Sequence, residues 1–265
     1  MWGLSYTRKG EKMLLLITGC INVNPNTPYV TISDMKDRLN SYKETVRWAI
    51  EESTFDKIVF CENSAYPFDM GTFQSIAKKK CKKIEYLTFQ GNTSQVIKHG
   101  KGYGEGEIIE YAIKKSVLLQ HENAFCKITG RLKVKNTFEL VCDVNKNYFM
   151  NKKYLPQVDT RFYYVQKKIF SEYLLKQYLR VNDYEEYYLE NVYYDVLRSN
   201  KIQYSCFSHR PLFKGVGGSN GTNYDDRKTK LEIIYNVLCK TNLYNSTTFW
   251  RFGHKIKNLY RNIVK

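Results

Sequence analysis

Four glycines, Gly100, Gly102, Gly104 and Gly106, alternate with Lys101, Tyr103 and Glu105, and an amphipathic helical pattern follows at once. That spacing suits the binding of an anion. Glycine lets backbone amides come close to a phosphate, and the start of a helix adds partial positive charge. Lys101 adds a full charge. The pattern is not a Walker loop, because no Gly-Lys-Ser/Thr closes it. Nor is it the dinucleotide fingerprint, because it does not follow the first strand. The plain alternative is a flexible turn with a cap. Turns seldom need four glycines, so a binding role is expected.

Such a segment needs a scaffold. Met13–Gly19 is a short apolar run ending in glycine, as in a buried strand of a parallel sheet. A loop with two prolines and three asparagines follows, then Ser33 and Asp34 as candidate helix caps. Leu39, Tyr42, Val46, Ala49 and Ile50 share one face of a helix over 37–53. A second strand is expected over Asp56–Asn63, a helix over 73–80 and a third strand over 82–90. Alternating strands and helices predict an α/β sheet with right-handed crossovers. Ligands of such sheets bind beyond the carboxyl ends of the strands. Those ends carry Thr18, Gly19 and Cys20, then Glu62 and Asn63, then Gln90 and Gly91. Every strand ends in something polar, so none of these residues is telling alone. Further on, the pattern predicts a strand over 125–136 that passes through Thr129 and Gly130 to Arg131. A short strand over 140–147, a strand running into a helix over 159–175 and a helix over 182–200 follow. A strand after Lys201 leads into a loop with Gly215, Gly217, Gly218 and Gly221, and the rest reads as helical.

The 265 residues suffice for one large domain with a small helical appendage, and the reading divides them into 1–225 and 226–265. The formal net charge of +16 points to an anionic partner or to a solvated lysine-rich surface. Seven cysteines, none paired as Cys-x-x-Cys, read as reduced thiols of a cytoplasmic protein and argue against structural zinc. The first residues imitate a signal peptide, but the apolar run is too short and is read as a strand. No stretch approaches the roughly 18 apolar residues of a membrane span.

The stretches ITGCINVNP, DRLNSYKETVRWAI, FDKIVFCENSAYPF, GKGYGEGEIIEYAI and FCKITGRLKV resemble the GT-A type of nucleotide-sugar glycosyltransferase, in particular proteins of capsule and lipopolysaccharide gene clusters. The likeness covers about residues 13 to 220 and rests on order and local wording. It implies a GT-A-like, Rossmann-type mixed sheet flanked by helices, with a helical C-terminal portion. It implies a glycosyltransferase, of the hexosyltransferase class, acting on a nucleotide-sugar donor and a glycan or lipid-linked glycan acceptor. Thr18, Gly19, Cys20, Glu62 and Asn63 would touch base and ribose. Lys101, Gly102, Gly104 and Glu105 would lie near the sugar nucleotide. The strand that in this family ends in a DxD motif reads Lys127-Ile128-Thr129-Gly130-Arg131 here. That puts the usual Mg²⁺ or Mn²⁺ bridge in doubt, and Lys127 and Arg131, beside Thr129, can neutralise a diphosphate instead. His209, Arg210 and Lys214 form a second cationic group that resembles the late loops closing over the diphosphate in some GT-A enzymes. Glu190 stands near the family's usual place for a base, with Asp159 behind it. Asp159 and Arg161 alternatively position the acceptor, and helical Glu is most often simply solvated.

The tail TTFWRFGHKIKNLYRNIVK mixes aromatic and basic residues with no acidic one. It suits an anionic membrane surface, at the inner face of the plasma membrane, or a helix docked on the domain. The competing readings are a basic nucleic-acid-binding protein and a nucleotidyltransferase or sialyltransferase-like enzyme on a similar sheet. The basic residues are scattered and no nucleic-acid motif appears, so no nucleic-acid partner is expected.

Overall fold

A computed structural model describes residues 12–27, 30–217, 221–227, 229 and 231–254. Gly218 and the tail beyond His254 lie outside the described residues. The first strand, β1 (Leu14–Gly19), is buried along its whole length. A strand covered on both faces must be apolar throughout, and LLLI meets that demand. β2 (Lys57–Glu62) and β3 (Lys83–Thr88) add to one side of β1 in parallel, and β4 (Ala124–Thr129) adds to the other. β6 (Phe162–Gln166) closes that edge antiparallel to β4, so the order is β3-β2-β1-β4-β6. Before it in the chain comes β5 (Leu132–Val134), which belongs to a small antiparallel sheet with β7 (Phe213–Val216) and β8 (Asn223–Asp225).

Side chains alternate across each strand, and this splits the core in two. Leu15, Ile17, Ile58, Phe60 and Ile128 meet Tyr42, Val46, Ala49 and Ile50 of α1 (Met35–Glu51) and Phe73 and Ala77 of α2 (Gly71–Lys79). Leu14, Leu16, Val59 and Phe125 face the other way. They meet Ile108, Ile109 and Ala112 of α4 (Lys101–Lys115), which follows the short α3 (Thr93–His99). α5 (Val117–Gln120) leads into β4, and after β6 a turn of helix, α6 (Lys167–Ile169), continues as a π-helical turn at Phe170–Leu174. α7 (Leu189–Ser199) completes this second layer. Asp34 caps α1 as expected, accepting the Asp37 N–H at 2.8 Å. The architecture is the expected Rossmann-type mixed sheet flanked by helices.

Four elements differ from expectation, and one is the strand expected after Lys201: that stretch pairs only through a bridge at Ser205, and the strand is β7, inside the expected glycine loop, where it lies between β5 and β8. The strand over 125–136 is two strands in two sheets. Gly130 donates its N–H to Thr18 O at 2.8 Å, and Arg131 takes a left-handed φ of 77° that turns the chain. The segment 140–147 is irregular, because Tyr148 rather than its predecessors pairs with Tyr164 and Ser205. The helix over 182–200 begins only at Leu189, since Asn182 and Tyr187 close a tight turn on each other at 2.9 and 3.0 Å. All seven cysteines are unpaired thiols. No helix of the described residues is long and apolar enough to cross a membrane.

Candidate active site

β1, β2, β3 and β4 all end on one rim: Gly19 pairs with Glu62, Glu62 with Thr88, and Thr18 with Thr129. Between β1 and β4 the strand order reverses direction, and a cleft opens there, where α/β sheets bind ligands. It has a volume of about 380 Å³. Thr18, Gly19, Cys20, Asn63, Gln90 and Gly91 line it from the strand ends, as expected from sequence. Lys101, Gly104 and Glu105 of α4, Thr129 at the end of β4 and Arg131 just past it close the other wall. A second cleft of about 540 Å³ adjoins it, lined by Gly102, Lys152, Arg161, Asp183, Tyr188 and Glu190 among others. Lys101, Glu105 and Thr129 line both, so the two clefts meet at these three side chains.

The floor of the junction is a buried network. Thr18 Oγ1 and Thr129 Oγ1 donate to Glu105 Oε1 at 3.2 and 2.9 Å, and Lys127 Nζ pairs with the same oxygen. Lys127 also donates to Thr129 Oγ1 at 2.9 Å and to Thr160 O at 2.8 Å. An ammonium has three N–H donors, and all three are used. The side chain is fully buried. Lys127 therefore has no donor for a phosphate, contrary to the sequence expectation; its task is to hold Glu105. Burial raises the Glu105 pKa, but Lys127 and the two threonine hydroxyls outweigh it and hold the carboxyl below the ordinary carboxylate range.

Arg131 is the opposite case. It is 6% exposed, lines the first cleft, and its Nε and Nη1 have no hydrogen-bond partner among the described residues. Desolvation lowers its pKa from the ordinary guanidinium value. A buried cation left unpaired is costly, and the same group is a strong bidentate donor to phosphate oxygens. Arg38, which sequence reasoning missed, also faces this cleft. Its Nε donates to Cys20 O at 2.8 Å and its Nη1 to Ile32 O at 2.9 Å, so it shapes the β1 end. Tyr42 OH accepts the Cys20 N–H at 3.0 Å. Nothing in the local pattern separates Arg38 from a solvated helix residue.

The glycine-rich segment is not a loop. Lys101 to Lys115 is helix, and only Gly100 lies before it, with a left-handed φ of 100°. The glycines serve close packing. A Cβ on Gly106 would stand 2.1 Å from Tyr178 Cβ, and one on Gly100 would meet Asp183 at 2.3 Å. The helix start is already occupied: Asp183 Oδ2 accepts the Gly102 N–H at 3.3 Å. Gly106→Ala is therefore expected to cost about 1–3 kcal/mol of stability through overpacking, read as a lower urea midpoint with no change in nucleotide binding at saturating protein stability.

Other expected residues lie elsewhere. Glu62 is buried beneath the rim, accepting from Ser64 N at 2.8 Å, Tyr66 N at 2.9 Å and Tyr86 OH at 3.3 Å, which fixes the turn that presents Asn63. His209 and Arg210 do not reach either cleft. His209 Nδ1 sits 3.0 Å from Glu139 O, and Arg210 pairs with Asp226 at 3.7 Å and Glu232 at 3.5 Å. Lys214 is exposed on β7. The late loop does border the second cleft, through Gly217, Thr222 and Tyr224 rather than its cations. Glu190 lines that cleft but pairs with Lys152 at 3.2 Å. Asp159 pairs with Arg161 at 2.5 Å; burial opposes its charge, yet Arg161 holds the carboxyl low. Arg161 in turn lies 4.3 Å from the Phe213 ring and 5.0 Å from the Tyr224 ring. Asp183, which the sequence placed on a helix, is buried at the second cleft, and burial pushes its pKa up to about 6. Burial lowers the Lys101 pKa, against the fields of Asp183, Glu190 and Glu105.

These residues do not suit a resident divalent metal. Past the end of β4 the cleft presents the Arg131 cation, and the neighbouring Glu105 carboxylate is tied to Lys127. Among the described residues no group of three His, Cys, Asp or Glu side chains is placed to hold a metal ion.

No protein-family model matches the chain. No curated protein matches it either. Among solved structures, HddC from Yersinia pseudotuberculosis is similar at 14% identity and a TM-score of 0.29, over 61% of this chain and 80% of that one. At that score the likeness carries no weight for the site.

Proposed function

We propose that the chain is a glycosyltransferase that moves a sugar from a nucleotide-sugar donor to a glycan acceptor of a surface polysaccharide. The observation that carries this reading is the buried guanidinium of Arg131, which meets Tyr42 but whose Nε and Nη1 have no partner among the described residues, in a cleft at the strand-order reversal, joined to a second cleft at Lys101, Glu105 and Thr129. The first cleft takes the nucleotide diphosphate, with Arg131 and Lys101 stabilising the charge that develops on the leaving phosphate. Glu105, ionised at the junction, accepts hydroxyl protons of the sugar in hydrogen bonds. The second cleft takes the acceptor, and in an inverting transfer Asp183 receives the proton of its attacking hydroxyl. Asp183 suits this better than Glu190 or Asp159, each of which is tied to a cation.

The test is thermal unfolding with UDP, CMP, GDP and dTDP and their sugars, with and without EDTA. A ligand that binds only the folded chain, at a hundred times its dissociation constant, adds about 2.7 kcal/mol. One nucleotide is expected to raise the melting temperature equally with and without EDTA. No response to any nucleotide removes the donor-site assignment, and release of pyrophosphate from an added nucleoside triphosphate and sugar 1-phosphate moves the chain to the nucleotidyltransferases.

The Asp183 assignment has its own signature. Its pKa is raised to about 6 by burial, so the carboxylate form, the base, fills as pH rises through that value. Turnover is expected to climb through pH about 6 and then level. Asp183→Asn should remove the limb and lower turnover about a hundredfold. An unchanged limb in that variant assigns the proton acceptor elsewhere.

A further inference from the structure

The C-terminal part carries its polarity inside out. In α8 (Glu232–Lys240), Glu232 is buried against Arg210 and Cys239 is buried, while Ile233, Ile234 and Val237 face outward at 74%, 56% and 54% exposure. A surface helix ordinarily turns its apolar stripe to the core. The exposed apolar character continues at Leu243 and at Phe249 and Phe252 of a helical segment over 247–254. Charge along this part has one sign. After Glu232 the sequence has no Asp or Glu, and it has Lys240, Arg251, Lys255, Lys257, Arg261 and Lys265.

This part is also fastened to the wall of the second cleft. Asn151 N donates to Asn245 Oδ1 at 2.8 Å, the Lys153 ammonium lies 5.4 Å from the Trp250 ring centre, and Tyr154 meets His254 at 5.6 Å between centres. Lys152 and Gln157, on the same stretch of chain, line the second cleft. Tyr154 and Leu155 between them are exposed.

We propose that the segment from α8 to His254 docks on an anionic lipid membrane, with its outward isoleucines, valine and phenylalanines entering the interface and Lys240 and Arg251 meeting the headgroups. Exposed apolar groups and a one-sign basic flank together are what such a surface recognises. A nucleic acid would use the cations and leave Ile233, Ile234 and Val237 in water. Docking there holds the 151–157 stretch, and so the edge of the second cleft, at the lipid surface. That consequence rests on reading this cleft as the acceptor site, and it makes the acceptor a lipid-linked glycan.

The test is flotation of the full-length chain with phosphatidylcholine vesicles and with vesicles in which about a third of the lipid is phosphatidylglycerol, at low and high salt. Wild type is expected on the anionic vesicles only, less at high salt. Ile233→Asp with Val237→Asp, and separately Phe252→Ser, should weaken partitioning roughly tenfold or more. Both sets are surface changes, so melting temperature and nucleotide binding should stay at wild-type values. Wild type that does not float overturns the proposal, as it does if the apolar face is covered by the chain itself. So does partitioning that the variants leave intact, or a concentration-dependent dimer that the same substitutions abolish. Displacement from vesicles by short RNA, with the apolar variants binding RNA normally, assigns the surface to nucleic acid instead. Nucleotide binding is read separately, so failure here leaves the donor-site reading standing.

Discussion

Arg131→Ala is expected to lower nucleotide-sugar turnover about a thousandfold while leaving the fold at least as stable as wild type. Loss of one preorganised donor to a developing oxyanion costs roughly a hundredfold to a thousandfold, and Arg131, which lines the cleft, has two buried nitrogens, Nε and Nη1, without a hydrogen-bond partner among the described residues. The stability side has the opposite sign. The guanidinium is buried without a counter-ion, and its backbone sits at a φ of 77°, a conformation that a non-glycine residue adopts at a cost of roughly 1–2 kcal/mol. Arg131→Gly removes both penalties and should melt higher than wild type, with nucleotide binding lost. Function then accounts for a residue that stability disfavours. Steady-state turnover, nucleotide titration and thermal unfolding of the two variants check this. Wild-type turnover in Arg131→Ala sinks the phosphate-site assignment, and a large loss of stability shows that Arg131 has a structural partner.

Glu105→Gln is expected to lose both folding stability and turnover, and a second substitution should separate them. Lys127 is fully buried and its ammonium depends on the Glu105 carboxylate. Removing one partner of a buried pair costs about 3–5 kcal/mol, because the other charge stays behind in low dielectric. Glu105→Gln with Lys127→Met removes both charges and should regain most of that loss, as exchange of a buried pair for apolar packing is often neutral. Turnover should not return, since the carboxylate at the meeting of the two clefts is gone. Urea unfolding of the two variants, beside turnover, reads both terms. A double variant that turns over normally would make the pair purely structural. The pH dependence has a definite sign too. The Glu105 pKa is depressed in the folded chain, so its contribution is present above the unfolded carboxylate value and is lost as pH falls through the lower folded one. Acid destabilisation should therefore be shallower in the double variant.

Within the site, residues four apart on one strand-turn met different fates. Lys127 and Arg131 look alike in KITGR, as two cations near a strand end. Lys127 lies inside β4 and points under α4, where Glu105, Thr129 and Thr160 consume its donors. Arg131 lies past Gly130, whose N–H makes the last bond to β1 at Thr18 O, and its left-handed backbone turns the chain out of the sheet at the wall of the cleft. The glycine alternation from Gly100 to Gly106 suggests a phosphate loop in the sequence because glycine signals either conformational freedom or close approach, and the string of letters does not say which. Tyr178 and Asp183, packed against α4, make it close approach.

By itself, the sequence determined the alternation of strands and helices from β1 to β3, the buried character of β1, the Asp34 cap and most of the strand ends that ring the first cleft. These follow from hydrogen bonding and side-chain periods that operate over a few residues. The tertiary structure alone decided which charges stay unspent. Asp183 reaches Gly102 across 81 positions of chain and Glu105 reaches Lys127 across 22. Whether a buried cation keeps its donors for a ligand or gives them to a neighbour is settled by such distant partners, because the free energy of a charge out of water depends on what surrounds it in space.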